Sequence, residues 1–336
     1  MKIAFFEVDE HALPHIKETY PEAFISEQKL DDTNISEFKD YDVISVFIYS
    51  ELTKNLLSQF TNLKMIATRG TGYDHIDVAY CEEKGISVAN VPAYGIRTVA
   101  EHAFALTLTL TRKIYESIDR TKKGSFANDD LCGVDLFGKT FGIVGLGNIG
   151  REVLKIATGF GMNVIVYTRT QDNELQKTHP HTYGDLNKVL SESDVISLHI
   201  PYTPETRHII NKNNIYLCKK GSYLINTSRG GLIETDALIE ALQKDIFAGV
   251  GLDVLEEEED LREEAELLSP EFRRRVDYKT LVYDHMIVTH PKVIVTPHNA
   301  FNSQEARARI IYTTIENIQA LEKGNLQNIV NKHNSH

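Results

Sequence analysis

The chain has 336 residues, enough for about two domains of ordinary size, so a single small module is excluded. Hydrophobic residues make up 42% and charged residues 25%, which excludes a collagenous, mucin-like or wholly disordered chain. Asp and Glu number 48 against 36 Lys and Arg; the formal charge of -12 repels phosphate backbones and anionic headgroups, so no nucleic acid and no membrane is expected as a partner.

Cys81, Cys132 and Cys218 are far apart, odd in number and never in a CxxC pair. They read as reduced thiols of a cytoplasmic protein rather than as a disulfide frame or a zinc knuckle. The opening Met-Lys-Ile-Ala-Phe-Phe-Glu-Val reaches Glu7 too soon after Lys2 for a signal-peptide core, and no stretch approaches about 18 uncharged apolar residues. The expected start is simply a first strand.

Residues 2–8, 42–48 and 64–68 are short apolar runs rich in β-branched residues, separated by segments of helical periodicity. Residues 98–123 follow, a stretch of Ala, Leu, Thr, Phe and Ile with charges gathered at its end, which predicts one helix of about 25 residues joining two domains. Strand signals resume at residues 141–145, 163–168, 194–200, 222–227, 248–253 and 292–296. Strands apolar on both faces, alternating with helices, predict an α/β fold of doubly wound parallel sheets. Residues 256–275, rich in Glu and Arg, read for the most part as a solvated surface helix or loop.

The first motif is Gly145-Leu-Gly-Asn-Ile-Gly150, between the strand at 141–145 and a helical stretch from Arg151. Gly145 permits a tight turn, Gly147 lets backbone approach a pyrophosphate, and Gly150 lets helix and strand pack closely with the helix N-terminus facing the anion. The strand at 163–168 follows at the spacing expected of a dinucleotide-binding unit. Its end, where NAD sites carry an acidic residue, reads Thr168-Arg169-Thr170. Thr168 cannot repel a 2′-phosphate and Arg169 can bind one, so NADP(H) is the favoured cofactor; NAD(H), reached through Thr168 or Asp172, is the alternative.

Two further segments end strands in polar residues: Leu224-Ile-Asn-Thr-Ser-Arg-Gly-Gly231, and Val250-Gly-Leu-Asp-Val-Leu-Glu-Glu-Glu258 followed by Thr296-Pro-His-Asn-Ala-Phe301. In an open parallel sheet ligands bind beyond the carboxyl ends of strands, so Arg229, the acidic run and His298 can share one crevice. In order and spacing these motifs, with Asn90-Val-Pro-Ala-Tyr94, resemble the D-isomer-specific 2-hydroxyacid dehydrogenases, most closely their D-lactate dehydrogenase branch, over almost the whole chain.

The resemblance implies a Rossmann-like cofactor domain at residues 99–299, a flavodoxin-like substrate domain of residues 1–98 with 300–336, and an active site in the cleft between them. It also implies a homodimer built on the cofactor domain. By the same likeness Arg229, Glu258 and His298 are catalytic. Glu258 is chosen because the family's acid lies five residues beyond the aspartate matched by Asp253; Glu257 or Glu259 would need a shifted loop. Thr71 and Gly72, in Arg69-Gly-Thr-Gly-Tyr-Asp74, match the loop whose backbone amides hold the substrate carboxylate, and Tyr94, Tyr49 and Phe301 match pocket walls. Asn148, Ile149, Ile200, Pro201, Thr206, Thr227, Ser228, Arg229 and Asp253 match positions around the dinucleotide, Asp253 near the nicotinamide amide.

The roles are physically coherent. The planar fork of Arg229 suits a 2-oxo acid, binding carboxylate and carbonyl together. His298 can protonate the developing alkoxide, and a carboxylate beside it favours the imidazolium near neutrality. The expected reaction is reduction of a small 2-oxo acid, pyruvate being favoured. Glyoxylate or hydroxypyruvate reduction is the alternative within enzymes. A dinucleotide-sensing scaffold like the family's corepressors is the alternative outside them, and the lack of a basic or low-complexity tail weighs against it. No metal is expected: hydride transfer needs none, and neither His11 with His15 nor His179 with His181 carries a metal-binding pattern. Ser228 lies in no GxSxG elbow, which argues against a serine hydrolase.

Overall fold

The computed structural model describes residues 1–256 and 278–331. The chain forms two compact units, Met1–Gly95 with the chain from Asn302 onward, and Ile96–Phe301.

The first unit holds five parallel strands, β1 (Ile3–Phe5), β2 (Phe24–Ile25), β3 (Val43–Val46), β4 (Met65–Thr68) and β5 (Ser87–Ala89), in the order β2-β1-β3-β4-β5. Alternate residues of one strand point to opposite faces. Ala4, Ile44 and Ile66 therefore pack with Phe6, Phe38 and Leu57 on one face. Ile3, Phe5, Val43 and Met65 pack on the other with Ile311, Ile315 and Ile318. Those three isoleucines, at helical spacing, bring the helix Gln304–Glu322 back onto a sheet built by the beginning of the chain. Ser303 caps that helix by accepting from the Ala306 N–H at 3.1 Å.

The second unit holds seven parallel strands: β6 (Thr140–Val144), β7 (Asn163–Tyr167), β8 (Thr182–Tyr183), β9 (Val195–Leu198), β10 (Ser222–Asn226), β11 (Phe247–Leu252) and β12 (Val293–Val295). Their order is β12-β11-β10-β9-β6-β7-β8, so the chain builds outward from β6 in one direction and then from β9 in the other. That reversal makes the carboxyl ends of β6 and β9 a switch point, the place where open α/β sheets bind ligands. The doubly wound α/β class expected from the alternating runs is the class observed.

The single long helix expected over residues 98–123 is instead two, Ile96–Thr111 and Ile114–Lys122. The first buries Ala100, Ala103, Phe104, Leu106 and Leu110, whereas the second buries nothing. At the break Lys113 takes a left-handed φ of 50°, and the Thr111 carbonyl, which a continuing helix would use, accepts instead from the Val134 N–H at 2.9 Å. Among the described residues no helix is long and apolar enough to cross a membrane.

Candidate active site

At the switch point of the second unit, Gly145 has a φ of 106°, and a Cβ there would lie 2.5 Å from the His199 carbonyl oxygen. A Cβ on Gly150 would lie 2.0 Å from the Gly145 carbonyl oxygen, so only glycine lets the helix Asn148–Gly159 start this close to the turn. Around Gly147 the space is open for 4 Å, and the exposed backbone there leads into the helix start at Asn148 and Ile149. Two buried polar atoms close by the strand ends, His199 Nδ1 and Thr227 Oγ1, lack a hydrogen-bond partner among the described residues. Burial pushes the His199 imidazole down to about 3, so it is neutral, and its Nε2 pairs with Ser197 Oγ at 2.8 Å. Open backbone, a helix N-terminus and orphaned polar atoms together fit a dinucleotide.

At the end of β7 the Thr168 hydroxyl donates to the Thr170 carbonyl at 3.2 Å, and Arg169 is exposed. The Asp172 carboxylate is used locally. It caps the helix Asn173–Thr178 through the N–H groups of Glu174 and Leu175, at 3.1 and 2.9 Å, and pairs with the Arg151 guanidinium. The Leu175 N–H and Arg151 hold its carboxyl below the usual carboxylate range. On the loop after β9, Ile200 is half-buried and Pro201 exposed, and the Thr206 hydroxyl donates to the Pro201 carbonyl at 2.7 Å.

Beyond β10 the buried Asn226 side chain shapes the next turn, its amide donating to the Arg229 carbonyl at 2.9 Å and its Oδ1 accepting from the Ser228 N–H at 3.0 Å. Ser228 Oγ donates to the Leu198 carbonyl at 2.7 Å, tying the turn to β9. Arg229, half-buried, donates from Nη1 to the Ser228 carbonyl at 2.8 Å.

At the end of β11, Asp253 is 1% exposed. Its carboxylate accepts from the N–H groups of Asn299 and Ala300, both at 2.8 Å, and from the Thr296 hydroxyl. His102 Nε2 lies 3.4 Å from the same carboxylate and 3.0 Å from Thr296 Oγ1. Burial works to raise this carboxyl, but His102, Thr296 and the two backbone N–H groups hold it below the usual range. The Asp253 carbonyl accepts from the N–H of His298, which takes a left-handed φ of 49°. A single buried acid thus shapes the loop carrying His298.

Glu258 lies outside the described residues, as do Glu257 and Glu259. The acidic run is nevertheless anchored at its root. Glu256 Oε1 lies 2.6 Å from His208 Nε2, and Glu256 Oε2 accepts from the Thr235 hydroxyl at 2.7 Å. A Cβ on Gly230 would lie 2.0 Å from the Leu255 carbonyl, so the chain entering the run is pressed against the turn bearing Arg229. The reading of a solvated segment fails at Glu256, whose partners come from distant parts of the sequence.

In the first unit Tyr49 is 47% exposed, on the loop after β3. The loop after β4 is held from β5: the Thr71 hydroxyl donates to the Val91 carbonyl and Asn90 Nδ2 donates to the Thr71 carbonyl, both at 2.8 Å. Gly72 is half-buried, and the Tyr94 carbonyl accepts from Arg309 Nε at 2.7 Å. Phe301 is half-buried at the end of the second unit. In the two close histidine pairs, His15 sits against the Tyr312 ring with centroids 5.0 Å apart, and His181 against Tyr183 at 4.8 Å. Among the described residues no three His, Cys, Asp or Glu side chains are placed to hold a metal.

Sequence reasoning did not single out His102 or His199. The first is the one imidazole of the helix Ile96–Thr111, and the second follows a buried strand. Each is a polar ring that must find a partner once buried, which is a usable signal.

Residues 104–300 match the family model for the D-isomer specific 2-hydroxyacid dehydrogenase NAD binding domain. The chain is 35% identical to a 2-hydroxyacid dehydrogenase homolog of Zymomonas mobilis, over 96% of this chain and 98% of that one. It is also 35% identical to the D-lactate dehydrogenase of Escherichia coli, over 84% of each. The D-lactate dehydrogenase of Aquifex aeolicus, solved with NAD and lactic acid, superposes with a TM-score of 0.89 at 38% identity, covering 98% of this chain and 99% of that one. The chain belongs to the D-isomer-specific 2-hydroxyacid dehydrogenases, nicotinamide-dependent oxidoreductases, on their D-lactate dehydrogenase branch.

Proposed function

We propose that this enzyme reduces pyruvate, or a 2-oxo acid of similar size, to the D-2-hydroxy acid, with the second unit holding the cofactor and the first holding the substrate carboxylate. The observation that carries the reading is the Asp253 anchor, which presents His298 from the end of one strand pair while Asn226 presents Arg229 from the adjacent strand. A reduced nicotinamide dinucleotide, held at its pyrophosphate by the Gly145–Gly150 turn, would supply the hydride. The Arg229 guanidinium binds the substrate carboxylate and polarises the 2-carbonyl, and His298 delivers the proton to the alkoxide oxygen. Glu258 is assigned to stabilise the imidazolium. The backbone of Thr71 and Gly72 takes the carboxylate, with Tyr49, Tyr94 and Phe301 around the side chain of the substrate. Gly145, Gly147, Asn148, Ile149 and Gly150 take the pyrophosphate, and Ile200, Pro201, Thr206, Thr227 and Ser228 line the rest of the dinucleotide.

NADP(H) is the favoured cofactor, because Arg169 is exposed at the ribose end of the site and the Asp172 carboxylate is already committed to Arg151 and a helix cap. The protein is assigned to the cytoplasm. It is assigned as a homodimer through the second unit, where Tyr115, Ile118, Phe126, Val134 and Phe137 are each exposed. The glyoxylate reductase of Thermococcus litoralis, 35% identical over 89% of this chain and 86% of that one, makes glyoxylate the competing substrate. Steady-state reduction of pyruvate, glyoxylate, hydroxypyruvate and longer 2-oxo acids with NADH and NADPH tests the reading. Pyruvate with the highest kcat/KM is the expected outcome; no turnover with any 2-oxo acid overturns it.

A further inference from the structure

Glu7 stands at the switch point of the first unit's own sheet, where the strand order reverses between β1 and β3. Chain ends diverge at such a point and leave backbone N–H groups that commonly hold a ligand. Here the chain fills the place itself. Glu7 Oε2 accepts from the N–H groups of Ile48 and Tyr49 at 2.9 and 3.0 Å, and Oε1 accepts from the Ser50 N–H at 3.0 Å and from the Ser50 hydroxyl. Ser50 Oγ in turn accepts from the Leu30 N–H at 2.9 Å. Glu7 adopts a φ of 57°, a conformation costly for a side chain of its kind, and so is held there by these contacts.

Arg69 closes the arrangement from the end of β4. It is 3% exposed, and its guanidinium donates to Ser45 Oγ at 3.0 Å, to the Glu7 carbonyl at 2.9 Å and to the Phe6 carbonyl. Burial pushes Arg69 down only to about 10, with the Glu7 and Asp9 charges opposing it, so it stays charged at neutral pH. A buried guanidinium of this kind persists only where its donors are satisfied. The residues that follow it are Gly70, Thr71 and Gly72, and those that Glu7 grips include Tyr49.

We propose that Glu7 and Arg69 are positioning residues for the 2-oxo acid: Glu7 acts as an internal anion in the backbone cradle after β3, and with Arg69 it fixes the loop of Tyr49 and the loop of Thr71 and Gly72 in one geometry before substrate arrives. The inference rests on the substrate assignment made above. Neither residue touches substrate in this scheme; both act by preorganising groups that do, which lowers the ordering cost of binding.

The test uses the full-length enzyme with Glu7→Gln, which removes the charge, and Glu7→Gly, which suits the left-handed backbone while removing the carboxylate. Two readouts are taken, amide hydrogen exchange over Ile48–Ser50 and steady-state kinetics with pyruvate. Exchange of those amides is expected to accelerate about ten-fold or more, and KM for pyruvate to rise about ten-fold while kcat and the Kd for reduced cofactor stay within about two-fold. Unchanged exchange overturns the cradle. Accelerated exchange with KM unmoved, or with kcat falling in its place, overturns the positioning role. Should either Glu7 variant fail to fold, Ser50→Ala, which removes the hydroxyl's bond to Glu7 and the bond it accepts from the Leu30 N–H, decides by the same two readouts. A wild-type enzyme that reduces no 2-oxo acid overturns the substrate assignment, and the cradle is then judged on exchange alone.

Discussion

The backbone N–H of His298 donates to the carbonyl oxygen of Asp253 at 2.8 Å, while the Asp253 carboxylate takes the next two N–H groups, of Asn299 and Ala300. The pairing of β11 with β12 puts Leu252 beside Val295, so the two chain ends emerge together and one acid can grip the neighbouring loop. Where the His298 ring is carried depends on this grip, because a residue at positive φ reverts to extended or helical backbone once its neighbours are released.

Asp253→Asn places amide hydrogens against N–H donors and removes the charge that His102 and Thr296 face. Stability should fall by about 3 kcal/mol, measured by urea unfolding, with kcat/KM falling in parallel. The sign with pH follows from the lowered carboxyl. The stability it contributes is full above the ordinary carboxylate range and is lost as pH falls through its depressed value, so the variant should show a shallower decline on the acid side.

His298→Ala should lower kcat about 100-fold or more, with reduced-cofactor binding by fluorescence titration nearly unchanged, since the proton is needed in the transition state and not for docking the dinucleotide. Retention of a tenth of wild-type turnover would remove the acid role. Arg229→Lys should raise KM for the oxo acid and lower kcat together, because an ammonium cannot reproduce the two-point fork.

Glu258→Gln should move the alkaline fall of the reductive rate to lower pH, as the imidazolium loses the charge that favours it. The same shift in Glu257→Gln or Glu259→Gln, with Glu258→Gln silent, would transfer the role along the run.

Arg169→Ala should cost NADPH about ten-fold or more in kcat/KM and leave NADH little changed, the loss expected for one charge-assisted contact to a phosphate. A wild-type preference for NADH, with NADPH kinetics indifferent to the substitution, would return the ribose end to NAD.

His199 links stability to pH in the acid range. Its folded value of about 3 lies below the ordinary 6.5, so between these the unfolded chain binds a proton that the folded chain refuses. Stability should therefore decline as pH falls below about 6.5, by up to about 1.4 kcal/mol per pH unit from this group. His199→Gln should remove that part of the slope, seen by comparing urea midpoints near neutrality with those about two pH units lower.

What could be read along the chain was whatever depends on near neighbours in sequence. Buried parallel strands betray themselves as short apolar runs, and the turn from Gly145 to Gly150 is a local device whose geometry admits few other residues. The alternation of such runs with helical segments was enough for the doubly wound class and, with the strand-end motifs, for the family. Side-chain partnerships across long sequence separations were not legible, because they exist only once two sheets' worth of strand ends have been assembled. The helix expected at residues 98–123 breaks where a distant N–H, that of Val134, captures the carbonyl of Thr111. Asp253 fits a dinucleotide contact by position, yet its carboxylate is drawn inward by a loop more than forty residues later. Glu256 is one of a run of acids on paper, and only packing of Leu255 against Gly230 brings it to His208 and Thr235. Glu7 looks like the polar end of a first strand. It becomes the anion of its own sheet because β3 arrives beside β1 and the loop that follows β3 turns three backbone N–H groups, of Ile48, Tyr49 and Ser50, onto its carboxylate.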